Sequence, residues 1–280
     1  NGPLMLVPAL RKEAFGHSPW DRFVATRDRL DALLDADIAT QRTAETTDGG
    51  AGLTPDCGLL GDLLSAQTLG AAADPQARTD LREQLRTMLV AGHETTATTL
   101  VWALFRLHRQ PRVLRRLRDE IDGAGTDPDE LAALPYLTAV CRETLRLHPP
   151  LPIVLRRLTG EYRLSGVELA AGDTIGIAVP LLHSDPTIWQ DPKCFRPERF
   201  LERRYRPFEY MPFGGGHRRC LGAALAEYEL RITLATMVGH TELALSRYHR
   251  HGPIPRSVPH NIATGPRRGL RFTVEEIRHS

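Results

Sequence analysis

Residues 213–222 read Phe-Gly-Gly-Gly-His-Arg-Arg-Cys-Leu-Gly, and the organisation of the whole chain can be worked out from this stretch. Three consecutive glycines predict a loop, because each glycine loses much backbone freedom when it enters a helix or strand. The residues that follow, Ala-Ala-Leu-Ala-Glu-Tyr-Glu-Leu-Arg, are typical of a helix. Cys220 is therefore expected at a helix N-terminus beside two arginines, where the helix dipole and the guanidinium groups favour thiolate over thiol.

A single thiolate on a loop cleared by glycines is a candidate ligand for a soft metal, and it suits haem iron with an axial cysteine. Two other interpretations account for the stretch less well. A cysteine taken at random is most often a small buried hydrophobic residue. A phosphate-binding loop would need a G-K-[ST] ending, and the G-x-G-x-x-G pattern fails because Arg219 stands in place of the third glycine.

The loop resembles the haem-binding loop of the cytochrome P450 family of haem-thiolate monooxygenases, whose pattern is F-G-x-G-x-R-x-C-x-G. The fixed positions are all met, by Phe213, Gly214, Gly216, Arg218, Cys220 and Gly222. A ten-residue pattern of this kind is highly specific. The resemblance implies that Cys220 is the axial iron ligand of a haem b group and that the other five residues help to bind it.

The composition is that of an ordinary soluble globular protein. The chain has 280 residues, 41% of them hydrophobic and 25% charged, and its formal net charge of +2 gives no reason to expect nucleic acid. Four widely spaced cysteines without a C-x-x-C pair argue against a zinc knuckle or a disulfide scaffold. Since no apolar run approaches about eighteen residues, no membrane segment is predicted.

A long helix is predicted over residues 78–108, which contain no proline and a single glycine. Over residues 88–107, apolar residues occupy almost every face of the predicted helix, so we expect this part of the helix to run through a core. Its centre, residues 91–99, breaks the pattern with a glycine, an acid and four threonines. One alternative interpretation is a run of solvent-facing polar residues, which is disfavoured because apolar residues flank the segment on both sides. Another is a zinc-protease H-E-x-x-H motif, which fails because Ala97 stands where the second histidine is needed.

This centre resembles the oxygen-activation motif of the P450 family, [AG]-G-x-[DE]-T-[TS]. The resemblance assigns Gly92 to opening room for dioxygen beside the iron. It assigns Thr95 to holding the reduced oxygen intermediate through its hydroxyl, and Glu94 to relaying protons. These roles agree with the need for ordered protons in a site that is otherwise kept dry.

Glu143 and Arg146 lie three residues apart on a predicted helix and so share one face. Such a pair is by itself a weak signal, since an exposed ion pair contributes little. It stands directly before His-Pro-Pro at 148–150, where the family has its E-x-x-R helix. The resemblance implies a buried network of Glu143, Arg146 and Arg199 that holds the scaffold of the haem loop, which suits the planar guanidinium fork.

Short β-prone segments at 153–155, 162–164 and 174–179 alternate with glycines and predict a small antiparallel sheet. Arg156 follows the first segment, and a surface arginine is the default interpretation. In the resembling family, however, the arginine at this place reaches a haem propionate. Arg218 would bind the other propionate through charge-assisted hydrogen bonds.

The N-terminal part of the chain carries weaker signals. Apolar residues recur at helical spacing over residues 20–42 and predict an amphipathic helix. Residues 43–56 predict an exposed linker, and residues 59–69 a short helix.

These expectations combine into a mainly α fold with a small antiparallel β region, the C-terminal part of one P450 domain over residues 1–280. The implied activity inserts one oxygen atom from O2 into a small apolar organic substrate. Because no flavin or iron–sulfur motif is visible, electrons from NAD(P)H would arrive through a separate ferredoxin or flavoprotein reductase. The alanine- and arginine-rich composition favours a soluble bacterial protein located in the cytoplasm.

Two alternatives stay open at this point. The chain could be a haem-thiolate isomerase or a peroxygenase, although Glu94 and Thr95 argue against this. It could also be a non-catalytic or haem-deficient fragment, since it begins at Asn1 and the family's N-terminal portion is not matched. No motif indicates the substrate.

Overall fold

The computed structural model describes residues 11–12, 16–47, 61, 63–64, 75–260 and 262–278. Its contacts divide the chain into two units, residues 1–93 and residues 94–280. Most of the predicted linker and most of the short helix over 59–69 lie outside the described residues. No helix among the described residues combines the length and the apolarity needed to cross a lipid bilayer.

The first unit contains helix α1 (Pro19–Thr47) and the beginning of helix α2 (Pro75–Arg109). Helix α1 starts at Pro19, one residue before the predicted range. The Asp21 N–H donates to the Ser18 hydroxyl at 2.9 Å, and proline occupies the first helical position. It ends five residues later than predicted, at Thr47. Within this unit, Arg86 of α2 pairs with Asp31 of α1 at 2.9 Å.

The second unit is built from the end of α2 and from shorter helices. These are α3 (Pro111–Asp122), α4 (Pro128–Ala133), α5 (Pro135–Leu147), α6 (Val179–Leu182), α7 (Arg199–Glu202), α8 (Ala223–His240) and α9 (Arg247–His251). Proline opens α3, α4 and α5, because its missing N–H costs nothing at the first helical position and its φ already suits a helix.

Helices α3, α5 and α8 enclose the main hydrophobic core together with the end of α2. Fully buried members of this core are Leu107, Leu117, Leu137, Val140 and Leu234. The prediction that α2 is buried along residues 88–107 is wrong for residues 89–93, which are all exposed, Leu89 at 52% and Val90 at 54%. A hydropathy pattern reports which side chains would gain from burial, but burial also needs a packing partner on that face.

The strands form separate two-stranded ladders, all antiparallel within the described residues. The pairs are β1 (Ile153–Arg157) with β4 (Thr174–Ala178), β2 (Tyr162–Leu164) with β3 (Val167–Leu169), β5 (Thr241–Leu245) with β8 (Phe272–Ile277), and β6 (Ser257–His260) with β7 (Ala263–Pro266). The single sheet predicted over 153–179 is therefore two ladders, since β2 and β3 pair with each other as a hairpin. The mainly α fold with a small antiparallel β region is confirmed.

Candidate functional site

The loop at 213–222 is closed by its own backbone. Gly214 and Gly216 have φ of +70° and +68°, in the left-handed region that glycine tolerates best. The Cys220 N–H donates to the Phe213 carbonyl at 3.0 Å, which folds the loop back on itself. Gly222 is the N-cap of helix α8, so Cys220 lies two residues before this cap, close to the position that the sequence predicts.

The outer face of this loop is open. A side-chain carbon built on Gly216 or Gly222 would meet no described atom within 4 Å. Cys220 is exposed, and the neighbouring Leu221 is 87% exposed. The loop thus presents one sulfur and one large apolar side chain on a surface that a flat, apolar group could cover.

The donor set around this sulfur fits haem. Within the described residues, no group of three or more His, Cys, Asp or Glu side chains could hold a metal ion. A single cysteine sulfur on the loop could serve as the one protein ligand of a metal that a cofactor already holds. Iron carried in a porphyrin is such a metal.

Strand β1 lies against the same loop and supplies a cation. Arg156 donates from Nη2 to the Gly215 carbonyl at 3.3 Å and from Nη1 to the Leu155 carbonyl at 2.8 Å. Arg218 is exposed and forms no ion pair with a carboxylate among the described residues. Both guanidinium groups can therefore receive the carboxylates of a bound cofactor, as charge-assisted hydrogen bonds favour.

Glu143, Arg146 and Arg199 meet in one buried cluster. Arg146 binds both carboxylate oxygens of Glu143, from Nε to Oε2 at 2.7 Å and from Nη2 to Oε1 at 2.8 Å. Arg199 donates from Nε to Glu143 Oε1 at 3.2 Å, and the Arg196 N–H donates to the same oxygen at 2.8 Å. The side chains of Glu143 and Arg146 are 0% exposed.

The remaining donors of this cluster fix the proline-rich segment 183–199. Arg146 Nη1 donates to the carbonyls of His183 (2.7 Å) and Pro192 (2.8 Å), while Arg199 Nη1 donates to the Gln190 carbonyl (2.8 Å). Two guanidinium groups thereby replace the regular backbone pairing that this segment lacks. The sequence predicts the three charged residues, but it does not show which carbonyls they bind.

His183 is a buried residue of this region that sequence reasoning missed. Its Nδ1 lies 3.1 Å from the Arg146 carbonyl, and its Nε2 accepts the Met211 N–H at 2.9 Å. Burial lowers the pKa of His183 from 6.5 to about 4. The available signal was a histidine directly after two leucines, in a segment otherwise rich in turn-forming residues.

A second buried polar group, also missed, lies at the end of α2. Arg106 donates from Nε to His148 Nε2 at 2.9 Å, and the His148 ring stacks on Trp102 at 3.8 Å between centroids. Burial lowers the pKa of Arg106 to about 10, and burial together with the charges of Arg106 and Arg146 holds the pKa of His148 well below its usual value. His148 is therefore a neutral acceptor for Arg106.

The threonine-rich centre of α2 is helical throughout. The Thr99 hydroxyl donates back to the Thr95 carbonyl at 2.8 Å, which is how threonine satisfies its hydroxyl inside a helix. Glu94 Oε2 accepts the Ile262 N–H at 3.4 Å, so the turn between β6 and β7 lies beside Glu94. A side-chain carbon on Gly92 would meet no described atom within 4 Å.

The comparisons with known proteins agree with this site. A family model described as Cytochrome P450 matches residues 12–268. The chain is 36% identical over 282 residues to the Mycobacterium tuberculosis protein named "Putative cytochrome P450 135B1", covering 99% of this chain and 56% of that protein. It is 34% identical over 234 residues to salviol synthase of Salvia pomifera, covering 80% of this chain and 45% of that enzyme.

The chain thus spans about half the length of the curated relatives that it matches. The matched range 12–268 includes the glycine loop at 213–222, the buried Glu143 network and the threonine-rich centre of α2. Since the model of one family covers almost all of the sequence, the chain belongs to the cytochrome P450 family.

Proposed function

We propose that this chain carries the haem-binding portion of a haem-thiolate monooxygenase, with Cys220 as the axial ligand of haem b. The reaction would insert one atom of O2 into a small apolar organic substrate. The observation that carries this proposal is the self-closed glycine loop, which presents an exposed Cys220 at the entrance to α8. When bound, haem supplies the activation of dioxygen with electrons delivered from outside.

In this proposal, Cys220 Sγ would hold the haem iron. The glycines at 214, 216 and 222 keep side chains away from the cofactor, and Phe213 anchors the loop to the main core, against which it packs. Arg156 and Arg218 would bind the two propionates of haem through charge-assisted hydrogen bonds. The Glu143, Arg146 and Arg199 network holds the segment that leads into the loop.

Proton delivery is proposed for the centre of α2. Glu94 would exchange protons with water at its carboxylate, and the Thr95 hydroxyl would accept and donate a proton at Oγ1. Gly92 would leave room for dioxygen, a role that rests on its place in the family motif. The turn beside Glu94 at Ile262 is the part of this unit that we propose to contact substrate.

The test of the proposed function is the spectrum of the reduced, carbon monoxide-treated protein from the complete gene. We expect the strongly red-displaced Soret band of thiolate coordination, and we expect Cys220→Ser to abolish it. Cys194→Ser is the matched control, because Cys194 is also a free, exposed cysteine and its described hydrogen bonds run through its backbone. Persistence of the band in Cys220→Ser would reject the proposal.

We also propose that electrons from NAD(P)H reach this chain through a ferredoxin or flavoprotein reductase that docks near Arg112 and Arg115. Both side chains are exposed on α3 and would attract an acidic surface. The double variant Arg112→Glu/Arg115→Glu should slow reduction by a ferredoxin about tenfold at low salt and weaken its salt dependence.

Stopped-flow reduction at several ionic strengths measures this effect. Arg163→Glu is the control, since Arg163 is equally exposed but lies on the β2–β3 hairpin and pairs with Glu168 at 3.2 Å. Equal rates and equal salt slopes in the double variant and in this control would exclude the proposed dock.

A further inference from the structure

His183 connects two parts of the second unit that are distant in sequence. It follows α6 and is 1% exposed. One ring nitrogen contacts the carbonyl of Arg146, 37 residues earlier in the chain. The other accepts the backbone N–H of Met211, 28 residues later. The imidazole therefore lies directly between the end of α5 and the segment that leads into the glycine loop at 213–222.

The two contacts determine the protonation of the ring. A backbone N–H can only donate, so Nε2 must carry a lone pair towards Met211. A backbone carbonyl can only accept, so the proton must be on Nδ1, towards Arg146. The neutral Nδ1–H form satisfies both partners at once, and the burial of the ring, which lowers its pKa to about 4, keeps it in that form.

On the Arg146 side, the contact between His183 and Arg146 is held rigidly. Arg146 is locked on Glu143 by two hydrogen bonds and also donates from Nη1 to the His183 carbonyl at 2.7 Å. The ring of His183 is further fixed by stacking on Tyr210 at 5.4 Å between centroids. His183 is consequently bound through its backbone and through its side chain to the same arginine.

On the other side, Met211 begins a short chain of backbone contacts that ends at the sulfur-bearing residue. The Met211 carbonyl accepts the Gly214 N–H at 3.1 Å, and the Phe213 carbonyl accepts the Cys220 N–H at 3.0 Å. Met211 itself is 4% exposed. Its N–H has His183 as its acceptor, so removal of the imidazole would leave a buried donor without a partner and release the base of the loop.

We propose that His183 is a positioning residue, whose neutral imidazole bridges Arg146 and Met211 and so transmits the rigidity of the buried charge network to the loop that presents Cys220. This inference rests on the proposed function of Cys220 and extends it to a residue that touches neither the iron nor the substrate. Its chemical requirement is a hydrogen-bond acceptor at the position of Nε2, and not merely a flat side chain that fills the space beside Tyr210.

Two amide substitutions test separately the hydrogen bond to Met211 and the hydrogen bond to Arg146. In His183→Gln, the side-chain oxygen can occupy the position of Nε2 and keep the bond to Met211. In His183→Asn, the shorter side chain reaches the position of Nδ1 and keeps the bond to Arg146, but it leaves the Met211 N–H unpaired. His183→Phe retains a flat ring and loses both bonds.

The first readout is the hydrogen exchange of the Met211 amide in the protein from the complete gene. We expect exchange to be roughly tenfold faster or more in His183→Asn and His183→Phe, and close to wild type in His183→Gln. The second readout is the red-displaced Soret band of the carbon monoxide complex. We expect it to decay faster on standing in the Asn and Phe variants and to be rescued by Gln.

Equal exchange at Met211 in the Asn and Gln variants would overturn the proposal, and so would a wild-type spectrum and exchange rate in the Phe variant. Should the Phe variant fail to fold, the Asn and Gln pair decides the question. If the wild-type protein lacks the red-displaced band, the proposed function of Cys220 fails. The exchange of the Met211 amide then still shows whether His183 fixes the loop.

Discussion

Replacing Glu143 with alanine is expected to lower the free energy of unfolding by about 3–5 kcal/mol, the cost of removing one partner from a buried ion pair. Glu143 accepts hydrogen bonds from Arg146, from Arg199 and from the Arg196 N–H. Without the carboxylate, two buried guanidinium groups keep their charge and lose their counter-ion. Urea unfolding followed by circular dichroism at pH 7 measures the change.

The matched control is Glu168→Ala. Glu168 also pairs with an arginine, Arg163, at 3.2 Å, but the two side chains are 78% and 71% exposed. Exposed ion pairs contribute about 0–1 kcal/mol, so this control should be nearly neutral. Similar losses for Glu143→Ala and Glu168→Ala would contradict a structural role for the buried network.

Acidification is expected to destabilise the protein through His183. The unfolded imidazole takes up a proton near its usual pKa of 6.5, whereas the folded imidazole, whose pKa is lowered by burial, does so only at about 4. Between these values the unfolded state binds more protons, so the free energy of unfolding falls as the pH falls. The loss begins near pH 6.5, is complete near pH 4 and amounts to about 3 kcal/mol for this residue.

The control for this pH dependence is His183→Gln, which removes the titrating group. The other groups near the ring are unchanged in this variant: the Arg146 guanidinium, the Glu143 carboxylate that it binds, and Tyr210, whose pKa is held well above its usual value by burial. Unfolding free energies of both proteins, measured from pH 7 to pH 4, should therefore diverge as the pH falls. Parallel curves would show that the folded imidazole titrates normally.

Local patterns were the most predictable part of this protein. The glycine loop, the cysteine and the following helix are consecutive in sequence, so local conformational preferences are sufficient to place Cys220 at the start of α8. The same holds for Glu143 and Arg146, one turn apart on α5. The family resemblance added Arg199, which no local pattern connects to that helix.

Patterns that depend on distant partners were predicted less well. Leu89 and Val90 are apolar and yet exposed, because hydropathy does not supply a packing partner. The β-prone segments after Pro152 were correctly recognised as antiparallel strands, but their pairing into separate ladders depends on which edges meet. The buried His148, which accepts from Arg106 across 42 residues, gave no signal beyond its apolar neighbours.

The sequence by itself determined the family and the mainly α fold, because short motifs in a fixed order identify both. It also supplied the residues that we propose to hold haem. The tertiary structure alone decided how the charge network is connected to the glycine loop at 213–222. That connection passes through His183, whose partners Arg146 and Met211 lie 37 and 28 residues away. Hydrogen bonds across such separations exist only once the chain has folded, since no local preference brings the three backbones together.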